Sequence, residues 1–496
     1  MVLASASCYT LSFPNFLFGN RFPFISHILA FLWPIPFFSL LDSRKKGNAF
    51  ITGFITGMIV NYAGFYWLIE TLKKYGQIPG ITSFLIISIM VAYLSLYWGI
   101  FGYFIALYKN LPVVYRIVLY SSVFIILQYL KSHLFTGFTW LGLEYTQYLN
   151  PLFIQTADLL GPYFIAWIVF IIGYLIYLIV FNPETRVKYA LAVMMIFSIL
   201  YGYGIIRTIT LKPVTTIAVG AIQPSLSAEV KDSSLFQDRN LKIYLSQSQE
   251  LVKRNQEIKL IVWPETALRR PLRYDIEKSE RIAEFTEINN LSLILGNEDY
   301  WYAGNTKESL CLRNGAAVYH NGKGPLTYHK IHLVPFGEFI PLRELWIPFK
   351  KYYNDINDFS RGEERTVFHG YDGVKIAVLV CYEIIFPEDV AKFVREGANL
   401  LANVTNNIWY GVSAGPKQDV AFTVFRAVET RCPVVRSANN GISNIVSGKG
   451  RILKSIALNV EDVIEANVEI YNMKTLYVRC PYLFPGIILL AFIAVN

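Results

Sequence analysis

A succession of long apolar runs in the first 212 residues constrains this sequence more than any other feature. Charged or Pro/Gly-containing breaks separate the runs. Most of the runs have the ~20 residues, or more, that a helix needs to cross a bilayer. The six long runs are 22–41, 49–70, 81–108, 113–131, 152–181 and 188–206. A shorter run, 2–18, is interrupted by Pro14. We interpret it as a short first span, which predicts about seven spans.

The overall composition points the same way. Hydrophobic residues make up 54% of the chain and charged residues 16%, against about 25% charged residues in soluble domains. The formal net charge is +9. The basic residues are dispersed, and several lie in short loops between apolar runs, which fits membrane topology better than a nucleic-acid surface.

The basic residues also predict an orientation. The loop after the second run carries Arg44–Lys46, and the loops after the fourth and sixth carry Lys109, Arg116, Arg186 and Lys188. Because loops rich in Lys and Arg stay in the cytoplasm, the N-terminus is predicted to be cytoplasmic. The seventh span then leads outward, so the chain from about Pro213 onward is expected outside the cytoplasm.

The pattern changes after residue 212 to short β-branched runs that alternate with amphipathic helices, which predicts an α/β sandwich. We therefore predict a transmembrane domain (1–212), an α/β domain (213–480) and a C-terminal membrane segment (481–496). The predicted strands are 215–221, 258–263, 291–296, 316–320, 374–380, 399–404 and 434–438. The predicted helices are 235–255, 275–289, 387–396 and 417–431.

Three segment ends in this second part carry residues suited to acyl transfer. Glu265 follows an apolar strand and Pro264, Lys330 lies in an aromatic, proline-bounded segment, and Cys381 ends the 374–380 strand. Cysteine attacks as the thiolate, so it needs a base, and a fixed cation can stabilise the resulting oxyanion. Taken singly, Glu265 fits an exposed loop acid, the usual place of a lone Glu, and Cys381 fits a buried structural thiol better than a nucleophile.

The motifs around these residues, taken together, resemble a known family. They are Trp263-Pro-Glu265, Lys330 with Pro335-Phe-Gly-Glu338, Cys381-Tyr-Glu383, the loop 136–147 with Trp140, Thr405-Asn-Asn407-Ile-Trp409, Arg426-Ala-Val-Glu429 and Pro433–Ser443. The set resembles the carbon-nitrogen hydrolase domain of the nitrilase superfamily. Following a polytopic segment, it is similar to the bacterial apolipoprotein N-acyltransferases.

The resemblance implies a fold and a set of roles. The second domain would be an αββα, nitrilase-like sandwich outside the cytoplasm, joined to a polytopic α-helical bundle. Glu265 would be the general base, Lys330 would stabilise the oxyanion and the thiolate, and Cys381 would be the nucleophile. The chemistry of the step itself adds the Tyr382 N–H as a candidate donor to the oxyanion. Glu338, Tyr382 and Glu383 match supporting active-site positions. Trp140, Asn407 and Trp409 are candidate substrate contacts.

The sequence departs from the family pattern at three places. Thr139 stands where proline is usual, and Glu144 where a small residue is usual. The stretch after Gln223 lacks an aromatic residue near Val230, which leaves the lipid contacts open. From the residues alone, the loop of Trp140 fits either an interfacial aromatic belt or a lipid-contacting shelf.

The family function implied is a two-step transfer through a Cys381 thioester at the bacterial inner membrane, with the catalytic domain on the periplasmic side. A phospholipid would donate the acyl chain, and the N-terminal amine of an S-diacylglyceryl-cysteine apolipoprotein would accept it, completing lipoprotein maturation. The alternatives are a membrane-tethered amidase or nitrilase that hydrolyses a small amide with the same triad, and a lipoprotein-binding scaffold without catalysis.

No cofactor, metal or nucleic acid is expected, and the chain is expected to be a monomer. His329 and His332 are three residues apart, but an extended segment would point them to opposite faces. Because a thioester must be kept from water, apolar loops near Trp346–Phe349 are predicted to act as a lid.

Overall fold

The computed structural model describes residues 1–15, 23–42, 44–232, 236–302, 310–341 and 358–496. It divides into two compact units. The first consists of Met1–Leu211, Ser413–Ala421 and Cys480–Asn496, and the second of Lys212–Val412 and Phe422–Arg479.

The first unit is α-helical through Leu211. Its α-helices are α1 (Val2–Leu11), α2 (Pro23–Leu32), α3 (Pro34–Leu41), α4 (Lys46–Phe65), α5 (Trp67–Lys74), α6 (Gly80–Tyr108), α7 (Val113–Lys131), α8 (Ala157–Leu160), α9 (Pro162–Phe181) and α10 (Arg186–Thr210). Short 3₁₀ turns at Leu134–Thr136, Leu143–Gln147, Phe153–Thr156 and Pro183–Thr185 connect some of them.

Four helices in the described ranges are long and apolar enough to cross a bilayer, namely Gly80–Tyr108, Val113–Lys131, Pro162–Phe181 and Pro183–Thr210. A fifth span arises if α4 and α5, which meet at a 52° bend, act as one. The apolar helices Val2–Leu11, Ile25–Leu41 and Leu483–Val495 are shorter. A polytopic helical region is therefore confirmed, while the number of seven spans stays a prediction.

The run 152–181, predicted as one span, is divided in the structure. Gly161 adopts a φ of +79°, and Pro162 occupies the first turn of α9. A left-handed glycine ends a helix and a proline favours the first turn of the next one. The preceding residues consequently form a 3₁₀ turn and the short α8, and α9 alone has the length of a span.

The second unit contains two six-stranded sheets within the residues described. The strands are β1 (Thr215–Gln223), β2 (Ile258–Val262), β3 (Ser292–Gly296), β4 (Asp299–Tyr302), β5 (Leu310–Arg313), β6 (Gly315–His320), β7 (Lys323–His329), β8 (Val367–His369), β9 (Lys375–Val380), β10 (Leu400–Thr405), β11 (Val434–Ala438), β12 (Asn444–Val446), β13 (Ile452–Ser455) and β14 (Asp462–Ile470). The sheet orders are β14-β1-β2-β3-β6-β7 and β13-β12-β11-β10-β9-β8, and β4 pairs with β5.

The remaining helices are α11 (Ala228–Asp232), α12 (Gln237–Arg254), α13 (Ile276–Ile288), α14 (Pro387–Arg395), α15 (Gly415–Thr430), α16 (Leu476–Arg479) and α17 (Leu483–Val495). Helix α17 and the first residues of α15 belong to the first unit.

The two sheets face each other, and helices flank them. Strand β1 contacts β11 and β3 contacts β10, so the sheets pack together. Helix α12 packs on β1 and α13 packs on β6. Buried side chains such as Tyr244, Ile261 and Leu293 fill the layer between α12 and its sheet. The predicted αββα class of the second domain is confirmed.

Parallel pairing brings the chemically interesting strand ends together. Strand β2 runs parallel to β1 and β3, and β10 runs parallel to β9 and β11. The carboxyl ends of parallel neighbours lie at one edge of a sheet, where binding sites form in α/β folds. Glu265 follows β2, Cys381 follows β9 and Thr405 ends β10.

Candidate active site

Cys381 lies at the point where β9 ends and a 3₁₀ turn, Cys381–Ile385, begins. Its backbone is left-handed, with a φ of +52°, a conformation that costs a non-glycine residue free energy and recurs at functional sites. The sulfur accepts a hydrogen bond from the Thr405 hydroxyl, with Oγ1 3.3 Å from Sγ. The side chain is partly exposed, so a rigid strand end presents a reachable thiol.

Glu265 is held at the end of β2 by its neighbours. Trp263 is fully buried and donates from Nε1 to the Ser248 hydroxyl at 2.9 Å. The Gly296 N–H donates to the Pro264 carbonyl, and a Cβ at Gly296 would lie 2.4 Å from Glu265 Cα, so glycine is required there. This packing fixes the backbone that carries the Glu265 carboxylate.

Asn314 connects Glu265 to a second carboxylate. Its Nδ2 donates to Glu265 Oε1 at 2.8 Å and to Glu338 Oε1 at 2.7 Å. The other Glu265 oxygen, Oε2, is buried and has no hydrogen-bond partner among the described residues. One oxygen of Glu265 is therefore fixed by the amide, and the other remains available to accept a proton.

Lys330 and Glu338 form a buried ion pair. The Lys330 ammonium, whose residue is 1% exposed, lies 2.9 Å from Glu338 Oε1 and 2.8 Å from Oε2. Glu338 Oε2 also accepts from the Val334 N–H at 2.8 Å. These charge-assisted bonds hold the cation in one place.

The electrostatic surroundings keep Lys330 charged. Burial alone would lower the pKa of Lys330, but the negative groups Glu338, Cys381 and Glu265 outweigh it and raise the pKa above its ordinary value. The interaction with Cys381 means that the ammonium stabilises the thiolate form of the sulfur.

Glu383 fastens the Lys330 segment to the turn of the nucleophile. Its Oε1 accepts from the Tyr328 hydroxyl at 2.8 Å and from the N–H groups of Ile331 and His332 at 2.7 and 3.1 Å. Its Oε2 accepts from the Val380 N–H at 2.8 Å. Burial raises the pKa of Glu383, and the backbone donors and Lys330 partly oppose that rise.

Arg436 supports the nucleophile from the strand on the far side of β10. It is fully buried and donates to Asn403 Oδ1 at 2.6 Å and to Asn407 Oδ1 at 3.0 Å. Asn403 in turn donates to the carbonyls of Leu379 and Cys381 at 2.9 and 3.4 Å. The backbone of Cys381 is thus anchored through two residues to β11.

Comparison with known proteins shows the family to which this chain belongs. The sequence profile of the apolipoprotein N-acyltransferase N-terminal domain matches residues 5–175, and that of the carbon-nitrogen hydrolases matches residues 217–476. The apolipoprotein N-acyltransferase of Geobacter metallireducens is 30% identical over 97% of this chain and 91% of its own length. This chain belongs to the apolipoprotein N-acyltransferase family.

A second relative and a solved structure are also similar to this chain. The apolipoprotein N-acyltransferase of Rickettsia typhi is 33% identical over 71% of this chain and 70% of its own length. The crystal structure of Nit3 from Saccharomyces cerevisiae, a nitrilase-superfamily member, covers 52% of this chain and 91% of that protein at 19% identity, with a TM-score of 0.39. The family predicted from the sequence motifs is confirmed.

The structure brings together Glu265, Lys330, Glu338, Cys381 and Glu383 of the residues that the family pattern suggests. Tyr382 is nearly buried, and its ring meets Phe386 edge-on with the centroids 5.1 Å apart. Burial raises the pKa of the Tyr382 phenol, and the Lys330 charge partly opposes this. The individual catalytic roles stay predictions.

The three candidate substrate contacts have different surroundings. Trp140 belongs to the first unit, is buried, and donates from Nε1 to Gln418 Oε1 at 2.8 Å. Asn407 is buried and accepts a hydrogen bond from Arg436, and a Cβ at Gly441 would lie 2.2 Å from Asn407 Oδ1. Trp409 is exposed and lies in the Asn407–Tyr410 turn. Of the three, Trp409 offers an open apolar surface.

Two other sequence predictions concern nearby segments. His329 Nε2 lies 2.9 Å from Asp299 Oδ2, whereas His332 Nδ1 lies 3.4 Å from Asp389 Oδ2. The two histidines therefore contact different carboxylates. The predicted lid at Trp346–Phe349 falls outside the described residues.

Sequence reasoning assigned no role to the polar residues that organise the site, chiefly Asn314, Thr405 and Asn403, although Thr405 begins one of the family motifs. They sit in or beside core strands, and a buried amide or hydroxyl needs a partner. That requirement was the available signal: Asn403 lies inside the apolar run 400–404, Thr405 directly follows this run, and Asn314 directly precedes the segment Gly315-Ala-Ala-Val318. Arg436 carried the same signal more strongly, as an arginine inside the strand Val434–Ala438.

Proposed function

We propose that this family member transfers an acyl chain from a phospholipid to the N-terminal amine of an S-diacylglyceryl-cysteine apolipoprotein. The observation that carries the proposal is the grouping of three side chains that follow β9, β2 and β7: a reachable thiol, a carboxylate with one oxygen that is unbonded among the described residues, and a buried ammonium. Relatives named apolipoprotein N-acyltransferase along most of the chain support the choice of reaction.

The first step forms a thioester. Glu265 Oε2 takes the proton of the Cys381 thiol, and the thiolate attacks the ester carbonyl of the phospholipid. The Lys330 ammonium and the Tyr382 N–H stabilise the oxyanion of the tetrahedral intermediate. When the carbonyl re-forms, the C–O bond to the glycerol breaks, and the leaving oxygen takes the proton from Glu265. Lysophospholipid departs.

The second step consumes the thioester. The free α-amine of the diacylglyceryl cysteine attacks the thioester carbonyl, and Glu265 accepts a proton from the attacking nitrogen. The intermediate collapses with cleavage of the C–S bond, and the proton returns to the Cys381 sulfur. The product is an amide, and the enzyme regains its starting state, as a ping-pong reaction requires.

The apolar helices give this chemistry a physical setting. Both substrates are anchored in the bilayer, and an enzyme in the same bilayer meets them at a high effective concentration. The basic loops favour a cytoplasmic N-terminus, which would direct the catalytic unit to the periplasmic face of a bacterial inner membrane. We propose that the chain acts there as a monomer.

The proposal is tested with purified protein, labelled phospholipid and a diacylglyceryl peptide. We expect a hydroxylamine-sensitive acyl-enzyme that is absent in Cys381→Ser, followed by transfer of the label to the peptide amine. Acylation that persists in Cys381→Ser would contradict the nucleophile. Turnover of small amides without phospholipid, and without transfer to the peptide, would favour the amidase alternative.

A further inference from the structure

Thr405 is the last residue of β10, and strand register places it beside the nucleophile. Val404 pairs with Val380 across the parallel strands, so the residues that follow, Thr405 and Cys381, are neighbours. Thr405 is fully buried, and its hydroxyl donates to Cys381 Sγ over 3.3 Å. The hydroxyl therefore reaches the reacting atom.

The backbone of Thr405 is fixed independently of its hydroxyl. Its carbonyl accepts from the Asn439 N–H at 3.2 Å and from the Glu265 N–H at 3.4 Å. The same residue thus joins the strand of the nucleophile to the segment of the base. Because these bonds use main-chain atoms, a change of the side chain leaves them in place.

A hydroxyl donor distinguishes the two forms of the sulfur. A neutral thiol or a thioester sulfur is a weak acceptor, whereas a thiolate is charged, and hydrogen bonds to charged groups are about twice as strong. Lys330 stabilises the thiolate through its charge, and its ammonium is bonded to both oxygens of Glu338. The Thr405 hydroxyl adds a directional bond at the sulfur itself.

We propose that Thr405 is a further catalytic residue, whose hydroxyl stabilises the Cys381 thiolate before attack and again when the thiolate leaves the thioester. The hydroxyl keeps its own proton throughout, while Glu265 receives the proton of the thiol. The role before attack concerns the free enzyme, and the role in the second step rests on the proposed acyl transfer.

The first test measures the thiol of the full-length protein in detergent. Iodoacetamide alkylation of the Cys381 peptide is followed by mass spectrometry from pH 5 to pH 10, which separates Cys381 from the other four cysteines. Thr405→Val removes the hydroxyl at nearly constant volume, and Thr405→Ser keeps it. We expect the valine variant to raise the apparent pKa of the thiol by roughly one to two units, equivalent to a ~10–100-fold slower alkylation at low pH.

Matched variants make the result specific. Thr405→Ser is expected to titrate close to the wild type. Thr286→Val removes another fully buried hydroxyl, one that donates to the Ala283 carbonyl and accepts from the Gly322 N–H, and it is expected to leave the titration unchanged. Thr405→Ala carries the same expectation as Thr405→Val if the valine variant does not fold. An unchanged pKa in a folded variant without the hydroxyl overturns the proposal.

A second measurement separates this inference from the proposed function. Acyl-enzyme is formed with labelled phospholipid, and its breakdown by the diacylglyceryl peptide is timed. We expect ~10-fold slower breakdown in Thr405→Val, with recovery in Thr405→Ser. If the wild type forms no acyl-enzyme, the proposed function fails, yet the alkylation titration still decides the role of Thr405. A breakdown rate equal to the wild type would refute the role in the second step.

Discussion

At the scale of single residues, Asn314 shows how the site keeps two carboxylates close together. Both hydrogens of its amide are used, one on Glu265 and one on Glu338. The amide donates to each carboxylate without adding charge. Glu338 binds Lys330, and Glu265 Oε2 has no hydrogen-bond partner in the described part of the chain. The two acids thus share a neutral donor, while Glu338 alone of the two bonds to the Lys330 ammonium.

Asn314→Asp is expected to reduce acyl transfer by about 100-fold at neutral pH. A third carboxylate would repel the other two, and its negative charge would also disfavour the thiolate. Initial rates across a pH series measure the effect. Asn321→Asp, which adds the same charge to an exposed turn, is the control and should behave as the wild type. Equal losses in both variants would argue against a local effect.

Lys330→Met is expected to raise the pKa of the Cys381 thiol, because removal of a nearby cation disfavours the anion.

In the wild type the pKa of Lys330 lies above its ordinary value of 10.5. The sign follows: the stabilisation from its ion pair is complete below 10.5 and is lost only as the pH rises through the higher folded value. Deprotonation of Lys330 should therefore not reduce the wild-type rate of lipid-dependent acylation below about pH 10. A decline with a midpoint well below 10.5 that disappears in Lys330→Met would contradict this.

At the scale of elements, Glu383 joins the end of β9 to the segment that follows β7. Its carboxylate accepts four hydrogen bonds, from Tyr328, Ile331, His332 and Val380. A glutamine can accept with one atom only, and its amide hydrogens would meet a backbone donor.

Glu383→Gln is consequently expected to destabilise the site by ~1–3 kcal/mol, the cost of leaving buried donors unbonded. Hydrogen exchange followed by mass spectrometry should show faster exchange in the peptide that contains Ile331 and His332. The control is Glu396→Gln, at an exposed position after α14. Wild-type exchange rates in the Glu383 variant would show that the carboxylate does not hold this segment.

The elements that the sequence predicted are those with a clear pattern. Strand β11 matches the predicted residues 434–438, and α13 lies within the predicted helix 275–289. Two of the missed strands lie at the edges of one sheet. Strand β7 contains Gly324-Pro325 and is mostly exposed, so its sequence shows no clear strand pattern. Strand β14 does alternate apolar and polar residues from Ile464 to Ile470, and this available signal was missed.

The candidate site was predictable only in part, for a related reason. Glu265 and Cys381 stand directly after apolar strands, where local sequence reveals them. The contact of Asn314 with two carboxylates, and of Thr405 with the sulfur, depends on strands that are far apart in sequence. Sheet order determines which of these strands become neighbours, and local sequence patterns do not reveal sheet order.

At the scale of the whole molecule, the membrane topology is the prediction most open to a direct test. Single cysteines at Arg44 and at Lys74 are introduced into a variant that lacks the native cysteines. The basic loops predict that a membrane-impermeant maleimide labels Lys74→Cys in intact spheroplasts, whereas Arg44→Cys reacts only after permeabilisation. Labelling of both positions in intact spheroplasts would refute the predicted orientation.

Three non-glycine residues around the reacting groups share a left-handed backbone: Thr266 beside the base, Phe336 between Lys330 and Glu338, and the nucleophile Cys381. Each such residue costs of order 1–2 kcal/mol relative to a relaxed conformation, and glycine would relieve the cost. At Cys381, whose side chain is the proposed nucleophile, heat tolerance and turnover therefore favour different residues. A laboratory screen that selects only for resistance to heating is expected to enrich Cys381→Gly, and so to yield heat-resistant variants that no longer transfer acyl groups.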